Sequence, residues 1–239
     1  MPDAATPQFT KVWEFASEVS GWLTEAQAEL LWDTAGQLPA TPLVVEIGSH
    51  QGRSTIMLAA AVGGRSGRVV AVDPFVDGRL FGGSRTRTIF EQNLASTGLT
   101  KTVELLPEYS TRALPGWTRK IDCLYIDGKH DYWTLSDDLR WTHHMPTGSP
   151  VLIHDCYSSI GVTLGILVHV LPTRRLTYER RVGSLALFRV AQPTTADRLR
   201  IVAELPWWLR NVAIKLLLRL RLRSVAARLF GHRSPYDPY

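Results

Sequence analysis

Two short runs carry the residues best suited to chemistry: Asp127-Gly128-Lys129-His130-Asp131-Tyr132 and His154-Asp155-Cys156-Tyr157. Each follows an apolar stretch, residues 123–126 and 151–153, that reads as a buried strand. Adjacent strands lie about 4.8 Å apart. Asp127 and Asp155, at their ends, can therefore converge on one point. Two carboxylates so placed repel unless a proton or cation sits between them, and acid oxygens suit Mg²⁺, Mn²⁺ or Ca²⁺. Such an ion can hold vicinal oxygens of a substrate and lower the pKa of a bound hydroxyl. The competing reading is that both acids cap helices or contact ligands directly. His130 lies three residues after Asp127. With an ordinary pKa near about 6.5, it can take a proton from a hydroxyl at neutral pH, or it simply opens the next helix. His154 is the second candidate base. His143 and His144 fall late in a helix, where a cation favours the C-terminal dipole.

A second constellation lies upstream. The apolar run 43–47 ends in Glu46, Gly48, Ser49 and Gly52, and a helical apolar pattern begins at Ser54. This is a strand, a tight turn and a helix N-terminus, with glycines that let a small ligand approach the backbone. About twenty residues on, the run 69–72 ends in Asp73. An acid at that place in a doubly wound sheet binds ribose hydroxyls. The first turn lacks G-x-G-x-x-G, so it does not fit a dinucleotide.

The elements that would position these residues alternate. Strands are predicted at 43–47, 69–72, 103–106, 123–126 and 151–154, and helices at 54–62, 88–96, 133–143 and 160–170. Strands at 176–181 and 184–190 close on Val182-Gly183 as an antiparallel edge hairpin. The expectation is an α/β fold, a Rossmann-like seven-stranded, mostly parallel sheet with helices on both faces. Helices at 9–22 and 25–35 precede it, the second with Thr24 and Gln27 spaced as a capping box. Three regions result: a helical extension or lid at 1–40, a ligand-binding domain at 41–191 and a basic tail at 192–239.

The segment Glu46-x-Gly48-x-x-x-Gly52 after a hydrophobic strand resembles motif I of the class I S-adenosylmethionine (SAM) methyltransferases. D-G-x-H-x-Y with H-D is similar to the subfamily that includes macrolide sugar O-methyltransferases and relatives of catechol O-methyltransferase. The resemblance implies SAM held by Glu46, Gly48, Ser49, Gly52, Ser54 and Asp73, with the adenine against Tyr109 and Ser110 after the third strand. It implies methyl transfer to a hydroxyl of a saccharide or other small molecule, with Asp127 and Asp155 orienting the acceptor or binding Mg²⁺ or another divalent cation. In the metal-dependent relatives a second acid or amide follows the later acid. Here Cys156, a poor Mg²⁺ ligand, stands there. His130 occupies the offset at which the catechol enzymes carry a lysine base. Two rivals stay open: N-methylation of a small amine without metal, and a SAM-binding protein without transfer activity that binds a membrane or a partner.

Composition narrows the partners. Nine Lys/Arg face three acids from Thr194 to Tyr239, so the net +5 resides in the tail. The rest of the chain is nearly neutral, and no N/D-P-P-Y/F run occurs, which excludes nucleic acid as the expected partner. The run 206–230 mixes Trp207, Trp208, leucines and arginines. Read as one helix, it fits contact with a membrane surface, or docking on the domain or on a second subunit of a homodimer. Cys123 and Cys156 fall in predicted strands and read as reduced core thiols, consistent with a cytoplasmic protein, peripheral to the inner membrane face if the tail binds lipid. The tryptophans are expected mostly in the core, with Trp22 able to cover the site. Arg79, Arg85 and Arg87, in a Gly-rich loop at 74–88, either meet an anionic acceptor or belong to a solvated loop.

Overall fold

A computed structural model of the chain describes residues 7–76 and 83–234. Seven strands form one sheet: β1 (Leu43–Ile47), β2 (Arg68–Val72), β3 (Val103–Leu106), β4 (Cys123–Ile126), β5 (Pro150–Ile153), β6 (Leu176–Val182) and β7 (Leu185–Val190). Their spatial order is β3-β2-β1-β4-β5-β7-β6. Pairing is parallel from β3 through β5, while β7 runs antiparallel to both β5 and β6. The order reverses between β1 and β4, which opens a crevice at their C-terminal ends.

Both faces of the sheet are covered, as near-continuous apolar strands require. Successive side chains alternate between the two cores. Val44, Cys123 and Tyr125 join one core with Ile56, Met57 and Phe90. Val45, Leu124 and Ile126 join the other with Trp141, Ile166 and Ile201. The first core takes α1 (Pro7–Glu18), α2 (Glu25–Gly36), α3 (Arg53–Gly63) and α4 (Gly83–Thr97); the second takes α6 (Tyr132–Asp138) and α7 (Ile160–Gly165), with the one-turn α5 (Ser110–Ala113) after β3. Thr24 and Gln27 form the expected capping box on α2. Arg53 fastens the α1–α2 connection to α3 by donating to the carbonyls of Ser17, Val19 and Leu23 at 2.9, 2.6 and 3.0 Å.

Several boundaries differ from the sequence reading. β5 ends at Ile153, so His154 lies in the loop beyond it. The helix expected at 133–143 stops at Asp138 and continues as a 3₁₀ turn over Leu139–His144. The helix expected at 160–170 finishes in a π-helical turn, Ile166–Val170. The run 206–230 is not one helix but two, α9 (Leu205–Arg219) and α10 (Arg223–Phe230), and α8 (Thr195–Ala203) precedes it. The break falls at Arg221, whose φ of 59° is left-handed, so the arginines of 206–230 do not share the faces of a single helix. Trp117 and Trp141 are buried as expected of core tryptophans, but Trp22 and Trp133 are 57% and 76% exposed. Arg79 lies outside the described residues; Arg85 and Arg87 sit on α4, and Arg87 pairs with Glu91 at 2.9 Å on the surface.

Candidate active site at the sheet switch point

The crevice is a cavity walled by the β1–α3 turn, the ends of β2 and β4, and the loops after them. Gly48, Ser49, Ser54, Asp73, Tyr109, Ser110, Asp127 and His130 line it, and Trp22 from the α1–α2 connection overhangs it. Gly48 adopts φ +87°, and a Cβ there would lie 2.3 Å from the Asp127 carbonyl oxygen. Only glycine permits β1 and β4 to end so closely together.

Asp73 organises the first turn. Its Oδ2 accepts the backbone N–H groups of Ser49 and His50, both at 2.9 Å, and its Oδ1 accepts that of Phe75 at 2.8 Å. The carboxylate thus fixes the backbone facing the cavity while itself lining it. Ser110 donates to Asp138 Oδ1 at 2.5 Å. Burial lifts the Asp138 carboxyl to about 7, against the Ser110 bond, and its Oδ2 has no hydrogen-bond partner. Asp138 stands eleven residues after Asp127 on α6; nothing in the local sequence marked it.

Glu46, the acid of the first motif, sits behind the turn. It is wholly buried and does not reach the cavity. Its oxygens accept the hydroxyls of Ser49 at 2.9 Å, Ser54 at 2.5 Å and Thr55. Burial raises its pKa to about 7 although those hydroxyls oppose the rise. It holds the turn from behind, through the hydroxyls of Ser49, Ser54 and Thr55. Gly52 is likewise behind the turn: φ is +95°, it precedes α3, and a Cβ would meet the Phe90 ring at 3.1 Å.

The second half of the site gathers Asp127, His130, His154 and Asp155. His130 Nδ1 contacts Asp155 Oδ2, and its Nε2 lies 3.9 Å from Asp127 Oδ1. His154 Nδ1 is 3.4 Å from Asp127 Oδ1 and 3.6 Å from Asp155 Oδ2. His130 is half exposed and faces the cavity; His154 and Asp155 are buried behind it. Ser158 donates to Asp155 Oδ1 at 3.0 Å and Tyr125 to Asp127 Oδ2 at 2.8 Å. Asp155 holds a left-handed φ of 57°, a strain seen where geometry is imposed for function. Gly161 lets α7 pack on this loop, because a Cβ would sit 2.8 Å from the His130 carbonyl oxygen.

Charge is balanced across these four groups. Burial would raise the Asp155 carboxyl, but His130 and His154 outweigh it and hold it well below the usual carboxylate range. Burial would lower His154, yet Asp127 and Asp155 lift it to about 9. His130 is also raised, Asp155 overcoming burial, while burial leaves Asp127 raised.

Gln27 settles the tautomer of His154. The Thr24 backbone N–H donates to Gln27 Oε1 at 3.0 Å, so that oxygen can only accept. His154 Nε2, 3.3 Å away, must therefore carry the proton it shares with it. The Gln27 amide donates in turn to Ser184 at 3.2 Å. Nδ1 then faces the two carboxylates as a second N–H or as a lone pair. The sequence placed Gln27 only as a cap; its reach across the fold to β5 has no local signature.

The donor set fits a divalent cation. Asp127, His130 and Asp155 each offer one ligand atom within 4.8 Å of the others. His154 Nδ1 is buried without a conventional hydrogen-bond partner, between Asp127 and Asp155. The imidazole moves the preference from Mg²⁺ and Ca²⁺ toward Mn²⁺, Fe²⁺ or Zn²⁺. Cys156 is buried in the second core.

Residues 45–156 match the family described as a methyltransferase domain. An O-methyltransferase from Bacillus cereus, solved with S-adenosylhomocysteine, superposes with a TM-score of 0.59 at 17% identity, covering 80% of this chain and 94% of that one. The O-methyltransferase TomG of Streptomyces achromogenes, involved in tomaymycin synthesis and solved with SAM, gives 0.56 at 19%, covering 79% and 91%. The S-adenosylhomocysteine-bound methyltransferase PaMTH1 of Podospora anserina gives 0.62 at 12%, covering 80% and 89%. At these identities the likeness speaks for the fold. The matched segment spans the β1–β4 switch point and its crevice, on a fold the chain shares with these solved methyltransferases.

Proposed function

We propose that the protein transfers the methyl group of SAM to a hydroxyl of a saccharide or other small molecule. The observation that carries this reading is the His130 imidazole, backed by Asp155 at Nδ1 and turned to the same cavity as Gly48, Ser49 and Asp73. A neutral hydroxyl attacks a sulfonium methyl poorly, so O-transfer needs a base, and amine transfer does not. Asp155 accepts from Nδ1 and leaves Nε2 to take the acceptor proton. The acceptor oxygen forms its bond to the methyl carbon, and the carbon–sulfur pair returns to sulfur, leaving S-adenosylhomocysteine. The Gly48–Ser49 turn and Asp73 hold the cofactor side, Ser110 and Tyr109 the adenine side, and Asp127 orients the acceptor. Proximity and alignment supply most of the rate.

A divalent cation on Asp127, His130 and Asp155 is the second reading, favoured by their single focus and by the unpartnered His154 Nδ1 beside it. Its chemistry would be to anchor an acceptor oxygen and lower that hydroxyl's pKa. His130 as a ligand could not also serve as the base. Methyl transfer to a panel of sugars, phenols and amines, with and without EDTA, separates these cases. Sugar or phenol methylation that survives EDTA and drops about 10²–10⁴-fold in His130→Ala, with unchanged S-adenosylhomocysteine affinity, is expected of the base. Loss in EDTA identifies the cation. Full activity of His130→Ala on amines alone would sink O-transfer.

A further inference from the structure

We propose that the outer face of α9 and α10 binds the surface of an anionic lipid bilayer. The inference stands on the tail alone and does not depend on the reaction. Residues 205–234 contain seven Lys/Arg and no acid. The inner side of α9 is committed to the fold. Asn211 and Ile214 are buried, and Asn211 donates to the Tyr157 carbonyl at 3.1 Å. Trp207 and Trp208 pack on the second core, and Arg181 lies over the Trp207 ring at 3.8 Å. Arg210 reaches the Phe230 carbonyl at 2.7 Å and ties α10 back to α9. The tail is therefore a docked helical pair and not a free amphipathic arm.

The outer side has the opposite character. Leu209, Leu216 and Leu220 are 60%, 60% and 59% exposed, and their spacing of seven and four aligns them in one stripe along the helix. Leu229 on α10 is 67% exposed. Arg219, Arg221, Arg223 and Arg228 are exposed beside them. Leucines projecting from a basic segment that holds no acid match a bilayer interface, where the leucines enter the acyl boundary and the guanidinium groups meet lipid phosphates. A second copy of the chain would bring two such basic faces together, and nucleic acid would leave the leucine stripe in water. Among the described residues no helix is long and apolar enough to cross a membrane, so the contact is peripheral. Its foothold is close to the site: Tyr157, which α9 grips, lies two residues after Asp155.

Sedimentation of the full chain with vesicles of phosphatidylcholine, alone or with about a third phosphatidylglycerol, tests this. The expected result is binding to the anionic vesicles only, at least ten-fold weaker in 0.5 M salt. The combined Leu209→Ser, Leu216→Ser and Leu220→Ser variant and the combined Arg219→Gln, Arg221→Gln, Arg223→Gln and Arg228→Gln variant should each lose at least ten-fold. All seven positions are exposed, so retained circular dichroism and S-adenosylhomocysteine affinity separate lost binding from lost folding. No binding of the native chain to either vesicle overturns the proposal. So does binding that neither variant weakens, or a dimer in light scattering that the leucine variant dissociates while vesicles bind nothing.

Discussion

The two halves of the crevice hold carboxylates in opposite ways. On the β1–β2 side, Glu46 and Asp73 are met by neutral donors, three hydroxyls for the first and three backbone N–H groups for the second. No cation lies among those partners, and the product is a fixed backbone turn. On the β4–β5 side, Asp127 and Asp155 face two imidazoles, and His154 Nδ1 is buried without a conventional partner. Neutral donors build a rigid cradle that takes no part in moving a proton. Opposed charges build a group whose proton can move. In the proposed function this contrast corresponds to binding in one half and proton handling in the other.

The largest effect should come from removing the buried cation. His154→Gln leaves a side chain able to donate to Gln27 but strips the positive charge from between Asp127 and Asp155. Breaking a buried pair in this way costs about 3–5 kcal/mol. Urea unfolding at pH 7 in EDTA should show that loss. Because the folded pKa of His154 is raised to about 9, its contribution is complete below its ordinary value of 6.5 and fades as pH rises through about 9. The gap between native and variant should narrow accordingly at high pH; a constant gap would mean that His154 acts by packing. Next comes Gly48→Ala, at about 3 kcal/mol from overpacking and a left-handed residue. Its Cβ would enter Asp127 backbone, so S-adenosylhomocysteine affinity and turnover should fall together. A variant that lost only one of the two would show that the halves are not mechanically joined there.

The strands, their alternation and the edge hairpin were legible because buried strands leave long apolar runs and glycines punctuate them. Asp127, His130 and Asp155 were legible because they follow such runs directly. Local pattern could not show direction or distance. Glu46 has the spacing of a ligand-binding acid, yet its side chain turns inward, where Ser49 from the turn and Ser54 and Thr55 from the helix that follows donate to it. Gln27 and Asp138 escaped because their partners, His154 and Ser110, lie 127 and 28 residues away. The tail's division into docked and exposed sides depends on Tyr157 and Arg181, which only the closed sheet brings near. Long-range polar contacts have no period, and periodicity was the main signal available.

Glu46→Gln sharpens the contrast from the neutral side. With its folded pKa raised from 4.5 to about 7, Glu46 disfavours the folded state as pH rises through that window. The native protein should lose up to about 3 kcal/mol between pH 4.5 and 7, a step the variant lacks. Stabilities measured by urea unfolding should therefore agree near pH 4.5 and separate above pH 7, with the variant the more stable. This step lies below the His154 window, so two resolved segments in the native pH curve, one removed by each substitution, would locate the two kinds of carboxylate separately.

The smallest effect should be Asp73→Asn. Its amide oxygen can still accept the Ser49 and His50 N–H groups, so only the bond to the Phe75 N–H is lost, about 1 kcal/mol. Cofactor affinity should fall more than stability, because an amide nitrogen replaces an oxygen at the cavity wall where ribose hydroxyls would donate. Calorimetric titration with S-adenosylhomocysteine should show about a ten-fold weaker Kd, and methylation at saturating SAM should be nearly unchanged. A turnover defect of the size seen in His130→Ala would mean that Asp73 reaches the reacting atoms. The division between a binding half and a proton-handling half would then fail at Asp73.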